Sequence, residues 1–228
     1  MNIHDGHRER LKTSFAEHGL ESFNDIAALE LLLFYAIPRS DTNPVAHRLL
    51  DRFGSLSAVF NASERELTEV KGVGASAATL LRLIPQIMKK SMVSLTEDIK
   101  QIRNATDAGN YLMPRFFNEE DEVVLVMFLD AKRCVISCLE MGRGVVNTVD
   151  TSVRRITETA LKSKANSVII AHNHPGGVAL PSREDDFMTK RLFTALQTLG
   201  IRLEDHLIFA GEEFVSLSDS GVMSLYRY

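Results

Sequence analysis

No apolar run in the chain approaches the roughly 18–20 residues that a bilayer crossing needs, so no membrane partner is expected. The opening stretch, MNIHDGHRERLK, is polar and charged, and lacks the apolar segment of a secretory leader. Cysteine is scarce, with two in 228 residues, Cys134 and Cys138 in the β-like run RCVISCLE. Residues at even spacing on a strand share a face but lie too far apart to bridge easily, so two buried thiols are expected. These absences point to a cytoplasmic protein. A basic excess is missing as well: the net charge is −4, and residues 1–91 hold eleven Lys/Arg against eleven Asp/Glu. Strong nucleic-acid binding through general electrostatics needs such an excess, so any phosphate contact has to come from local geometry. There is no internal repeat or low-complexity tract. What is present, 45% hydrophobic and 25% charged residues, suits a globular protein with a real core.

The patterning changes near residue 91. Before it the signals are helical. DIAALELLLFYAI (25–37) is strongly apolar and opens on Asp25, a residue able to cap it. PVAHRLLDRFG (44–54) ends on Gly54, which suits a C-cap, and SERELTEV (63–70) opens with the capping-box pair Ser63 and Glu66. ASAATLLRLIPQIMKK (75–90) reads as another apolar helix, disturbed at Pro85. Four or five short helices in an all-α domain over 1–91 are expected, followed by a connector over 92–106.

From about 107 strands and helices alternate. A helix in DAGNYLMPRFF precedes strands at 122–130 and 134–142, then GVVNTVD and a helix at 152–164. A strand at 167–172, a helix at 184–199 and strands at 201–210 and 214–218 complete the pattern. Such mixing over 107–228 predicts a single α/β sandwich.

The chemistry concentrates in IIAHNHPGGVALPSREDD (169–186). Side chains at i and i+2 of a strand point to one side, so His172 and His174 project together from the strand's end. Two imidazoles so placed can converge on one ion, and a catalytic site needs a third protein ligand and one open position. The loop PGGVAL turns the chain back to Ser182 and Asp185 at a helix start. Ser182-x-x-Asp185 also fits a capping box, in which both side chains serve only the helix backbone. Two histidines on one strand face, returning to an acidic helix start, favour a metal site over that purely structural role.

His172-Asn173-His174-Pro175 followed by Ser182 and Asp185 resembles the JAMM metalloprotease signature, H-x-H-P and then S-x-x-D. The wider chain is similar to the bacterial RadC family, through GHRERL, FGSL, KGVG, HNHP…PSRED, EDHLIF and FVSLS. The resemblance implies a JAMM/MPN-type C-terminal domain of the three-layer, cytidine deaminase-like kind, with a mixed sheet flanked by helices, after a small helical domain. It implies His172, His174 and Asp185 as ligands of Zn2+, and Glu122, just before the first apolar strand, as the proton-accepting carboxylate. Ser182 would stabilise the developing oxyanion. Glu119, Glu120 and Asp121 crowd the Glu122 assignment, and a solvated acidic turn is the plain alternative there. The chain departs from the family at His174-Pro175-Gly176-Gly177, where H-P-S-G is common, and at Val153-Arg154-Arg155, where P-R-E is common. Neither change touches a ligand. Asp205 and His206 match a D-H pair of the family and are expected to support the site or the core.

The run Val70-Lys71-Gly72-Val73-Gly74 looks like the hairpin of a helix-hairpin-helix motif. Its glycines let backbone approach a phosphate, and the next helix aims its N–H groups there. Lys71, Gly72, Val73 and Gly74 are therefore a candidate phosphate cradle, and a tight turn that packs the helices is the structural alternative. Two functions follow as expectations. One is a zinc-dependent hydrolase of a peptide or isopeptide bond. The other is a DNA-associated repair or recombination accessory protein, with a non-catalytic zinc site and weak, sequence-independent DNA contact.

Overall fold

The computed structural model describes the backbone of residues 3–144 and 149–227, and the side chains of residues 6–144 and 152–226. The chain divides into two compact units, Met1–Lys90 and Ser91–Tyr228. The first is helical: α1 (Ile3–His18), α2 (Asp25–Leu33), α3 (Asn43–Phe53), α4 (Leu56–Asn61) and α5 (Glu64–Thr68), with α6 (Ala75–Ser94) starting in it. Leu29, Leu33, Leu49, Val59, Leu67 and Leu81 form its buried core.

Several local expectations need correction. The second helix ends at Leu33 rather than residue 37. Pro38 pushes Ile37 away from helical backbone, and the Arg8 guanidinium donates to the Ile37 and Ser40 carbonyls, holding the chain outside the helix. Its cap is Asn24, whose Oδ1 accepts from the Ala27 amide at 2.9 Å, while Asp25 lies in the first turn, where negative charge suits the helix end. Helix α1 has no apolar stripe and draws its attachment from polar groups. His7 meets the buried Glu30 carboxylate at 3.0 Å, and Arg8 stacks on the Phe34 ring at 4.6 Å. Helix α6 runs on past Pro85 to Ser94. The connector stretch, whose apolar residues could pack, has Ile102 fully buried.

The second unit contains α7 (Ala105–Leu112), β1 (Val123–Leu129), β2 (Val135–Arg143), α8 (Val149–Lys162), β3 (Ser167–Asn173), α9 (Arg183–Thr198), β4 (Arg202–Ala210) and β5 (Glu213–Ser216). A 3-10 turn at Met113–Phe116 extends α7, and another at Val222–Arg227 closes the chain. Most of GVVNTVD, residues 145–148, lies outside the described residues. The sheet is mixed, with strand order β2-β1-β3-β4-β5. Strand β1 is antiparallel to β2 and β3, β3 is parallel to β4, and β4 is antiparallel to β5.

Period-two alternation gives the sheet two apolar faces. Val126, Phe128, Val168, Ile170 and Ile208 pack with Ile156 and Ala160 of α8 and with Leu192 and Leu196 of α9. Leu125, Met127, Ile169, Ala171 and Phe209 face the other way, onto Ala108 and Leu112 of α7. The result is three layers, helices over both faces of a mixed sheet, as expected. The crossover from β3 through α9 to the parallel β4 starts α9 just past the carboxyl end of β3.

Gly109 in α7 lies so close to β5 that an added Cβ would sit 2.4 Å from Phe214 ring carbons. Gly109→Ala is expected to destabilise the chain by about 1–3 kcal/mol through overpacking. Denaturant unfolding measures it, and a stability equal to wild type would show that the Phe214 ring moves aside freely.

The cysteines are free, as expected, but only partly buried on the β2 side of the sheet. Burial pushes the Cys138 thiol up to about 11. It is therefore un-ionised near neutral pH and a poor nucleophile.

Candidate metal centre

His172 is the penultimate residue of β3, His174 follows the strand's end, and Asp185 occupies the first turn of α9. The three come together. His172 Nε2 lies 3.2 Å from Asp185 Oδ1, His174 Nε2 lies 3.6 Å from Asp185 Oδ2, and the two Nε2 atoms are 2.8 Å apart. Ligand atoms held tetrahedrally at about 2.0–2.1 Å from one ion stand about 3.3 Å from each other, within the spread of these separations. His172 is buried, whereas His174 keeps 22% side-chain exposure, so one side opens to solvent.

Hydrogen-bond chemistry tests whether these groups suit a cation. A carbonyl oxygen only accepts, so the 3.0 Å contact from His174 Nδ1 to the Val178 carbonyl places the ring proton on Nδ1. The Nε2 lone pair of His174 is thereby turned toward Asp185 and His172. At 2.8 Å from His172 Nε2, that lone pair needs either a proton or a cation between the two rings. The donor set fits a divalent ion with imidazole and carboxylate ligands.

Asp185 fills the capping role that the sequence offered and keeps an oxygen beside His172. Its Oδ2 accepts from the Ser182 amide at 2.8 Å and from the Ser182 hydroxyl at 2.6 Å, while the Asp185 amide donates to Ser182 Oγ at 3.1 Å. This is a complete capping box, and it leaves Oδ1 turned toward His172. Burial pushes the Asp185 carboxyl up, but contact with His172 and the two Ser182 hydrogen bonds outweigh it and hold the carboxyl well below the usual range. Asp185 is thus anionic throughout the neutral range. The Ser182 hydroxyl spends its proton on Asp185, so service to an oxyanion would need that proton to rotate away.

Glu122 sits exposed, one residue before β1, and its carbonyl accepts from the Gly144 amide at 2.8 Å. Val124 pairs with His172 at the end of the antiparallel ladder, and Glu122 lies two residues before it, outside the paired strands and outside the His172–His174–Asp185 group. Two of its acidic neighbours are engaged with Arg143, Glu119 at 2.5 Å and Asp121 at 3.7 Å.

Three supporting residues went unrecognised or under-read in the sequence. Asn173 points to the face opposite the histidines. There its Oδ1 accepts from the Val123 amide at 2.7 Å and its Nδ2 donates to the Asp121 carbonyl at 3.0 Å. One buried amide thus grips the backbone on either side of Glu122, fifty residues away in the chain. His206 of β4 touches His172, its Nε2 lying 2.8 Å from His172 Nδ1, and Thr189 of α9 touches His206 in turn. Burial lowers the fully enclosed His206 to about 3, so it is neutral near pH 7. Asp205 serves the core, accepting from the Ser216 hydroxyl at 2.5 Å and the Ser218 amide at 2.9 Å.

Asn173→Ala leaves the buried Val123 amide without its partner. It is expected to cost about 1–3 kcal/mol and to speed hydrogen exchange at Val123, with metal affinity unchanged. Exchange as slow as in wild type would remove Asn173 as the clamp.

In the helical unit, Val70 and Val73 of the hairpin are buried in the core, and the Lys71 carbonyl accepts from Arg48 Nε at 2.9 Å. Gly72 has φ +98, and an added Cβ there would sit 2.9 Å from Val45 Cγ2, so packing alone accounts for this glycine. Gly74 has open space, and it lines a concavity with Ile37, Arg39, Ser40, Gly72 and Ser76. Among the described residues no helix is long and apolar enough to cross a membrane. Comparison with protein families matches residues 102–222 to the model described as RadC-like JAB domain.

Proposed function

We propose, from the premise that this chain belongs to the RadC-like JAB domain family, that it is a zinc-dependent hydrolase of a peptide or isopeptide bond. The observation that carries this reading is the convergence of His172 Nε2, His174 Nε2 and Asp185 Oδ1 beside a partly exposed opening. A purely structural zinc site more often closes with four protein ligands, and three leave a position for chemistry.

Zinc, when bound, supplies a Lewis acid that polarises an amide carbonyl and makes water acidic near neutral pH. The chain's own groups do the rest. Glu122, just before the strand that pairs with β3, accepts the proton of the attacking water and returns it to the leaving amine. Asn173 holds the backbone around Glu122, which keeps that carboxylate in place. The Ser182 hydroxyl turns from Asp185 to meet the negative charge developing on the carbonyl oxygen.

The reading is tested by offering peptide and isopeptide reporters to the full chain before and after chelation. Cleavage that stops with chelator and returns with Zn2+ supports it. Cleavage indifferent to chelator overturns it.

A second reading, DNA contact through the hairpin beside a non-catalytic metal site, draws on the open concavity that Gly74 and Arg39 line at the start of α6, next to Lys71 in sequence. Lys71→Glu is the clean probe, since Gly72 variants also disturb packing against Val45. On this reading the variant weakens duplex binding uniformly across sequences and lowers its salt slope by about one.

A further inference from the structure

Behind the metal centre a buried line of hydrogen bonds connects two of its ligands by a route outside the centre. Its fixed end is the main-chain carbonyl of Asp185, which accepts from the Thr189 hydroxyl at 2.5 Å. A hydroxyl has one proton, and here that proton goes to the carbonyl, so Thr189 Oγ1 meets its next neighbour as an acceptor. That neighbour is His206 Nδ1 at 2.6 Å, which must therefore carry the hydrogen. A singly protonated imidazole then presents Nε2 as a lone pair, and His172 Nδ1, at 2.8 Å, donates to it. His172 is left with Nε2 bare on the side facing His174 and Asp185. Thr189 and His206 are wholly enclosed, so no water competes for these bonds.

We propose that Thr189 and His206 are positioning residues that fix the tautomer and ring orientation of His172 for metal binding, with the Asp185 carbonyl setting the direction of the line. The inference rests on the metal-site reading above and extends it to residues that touch no ion. The physical advantage is preorganisation. Reversed, the line would have Thr189 donate to His206 and His206 donate to His172, which would put a proton on the very nitrogen that should bind. The line reverses only if Thr189 abandons the Asp185 carbonyl, and α9 holds that carbonyl one turn before Thr189. Because the carbonyl belongs to a ligand residue, the carboxylate and the imidazole are set by one rigid piece of helix.

The test uses the full chain, stripped of metal and titrated with Zn2+ against a competing chelator. Thr189→Val keeps the shape and removes the hydroxyl. It is expected to weaken Zn2+ binding about 10- to 100-fold, while Thr189→Ser, which keeps the hydroxyl, restores it. Nitrogen-15 spectra of the imidazoles in metal-free wild type, above their titration range, give a readout that needs no variant to fold. The expected pattern is Nδ1–H with bare Nε2 in both His206 and His172. Equal Zn2+ affinity in Thr189→Val and wild type, or an Nε2–H pattern at His206, would overturn the relay. Wild type that binds no Zn2+ more tightly than His172→Ala would instead overturn the metal reading itself, and the relay with it.

Discussion

Glu122→Gln is expected to abolish nearly all hydrolysis while leaving the metal in place. The amide has the shape of the carboxylate but cannot take the proton of an attacking water. General base catalysis by a positioned side chain contributes about 10²- to 10⁴-fold, so turnover should fall by that factor. Fold and metal content should be spared, because the Glu122 side chain is exposed and the residue is held through its main-chain carbonyl, which accepts from the Gly144 amide. Steady-state turnover of a reporter, measured beside zinc content, separates the two effects. Loss of both would make Glu122 structural. Retained turnover would transfer the proton-accepting role elsewhere.

Asp185→Asn is expected to remove most of the stabilisation that zinc confers. A ligand present at a thousand times its dissociation constant stabilises the form that binds it by about 4 kcal/mol. The variant loses the anionic member of the ligand set, so saturating Zn2+ should raise its melting temperature far less than that of wild type. Metal-free stability is the control. Asn still offers an oxygen to the Ser182 amide and hydroxyl, so the capping box survives in part and the loss there should stay near or below about 1 kcal/mol. A zinc-induced shift equal to wild type would mean that Asp185 is only a helix cap.

The grouping of His172, His174 and Asp185 was legible because every part of its signal is local. His172 and His174 are set on one face by strand periodicity alone, and Ser182 and Asp185 by the rules of a helix start. The choice between cap and ligand could not be made from spacing, because one carboxylate can cap the helix through Oδ2 and still present Oδ1 to His172. The α/β sandwich of the second unit was legible too, since apolar runs alternate with amphipathic helices, and its three layers are what the family resemblance implies.

Less visible were features made by contacts distant in sequence. Asn173 reads as a spacer between two histidines, yet its amide meets Asp121 and Val123 across the β1–β3 ladder. His206 could be marked only as supporting site or core. Its contact with His172 depends on the parallel pairing of β3 with β4, and its contact with Thr189 on the crossover that lays α9 over the sheet. Helix α1 escaped because its attachment is polar, through His7 and Arg8, and leaves no hydrophobic period to detect. The early end of α2 follows from Arg8 as well, a tertiary contact overriding an apolar run that would otherwise continue.

The most direct test of the account is a crystal of the zinc-loaded protein, with anomalous scattering recorded at the zinc absorption edge. The account predicts a single strong peak in the second unit, within about 2.0–2.2 Å of His172 Nε2, His174 Nε2 and an Asp185 carboxylate oxygen. A peak ligated through His172 Nδ1, or zinc held by other residues while these three stand apart from it, would contradict it.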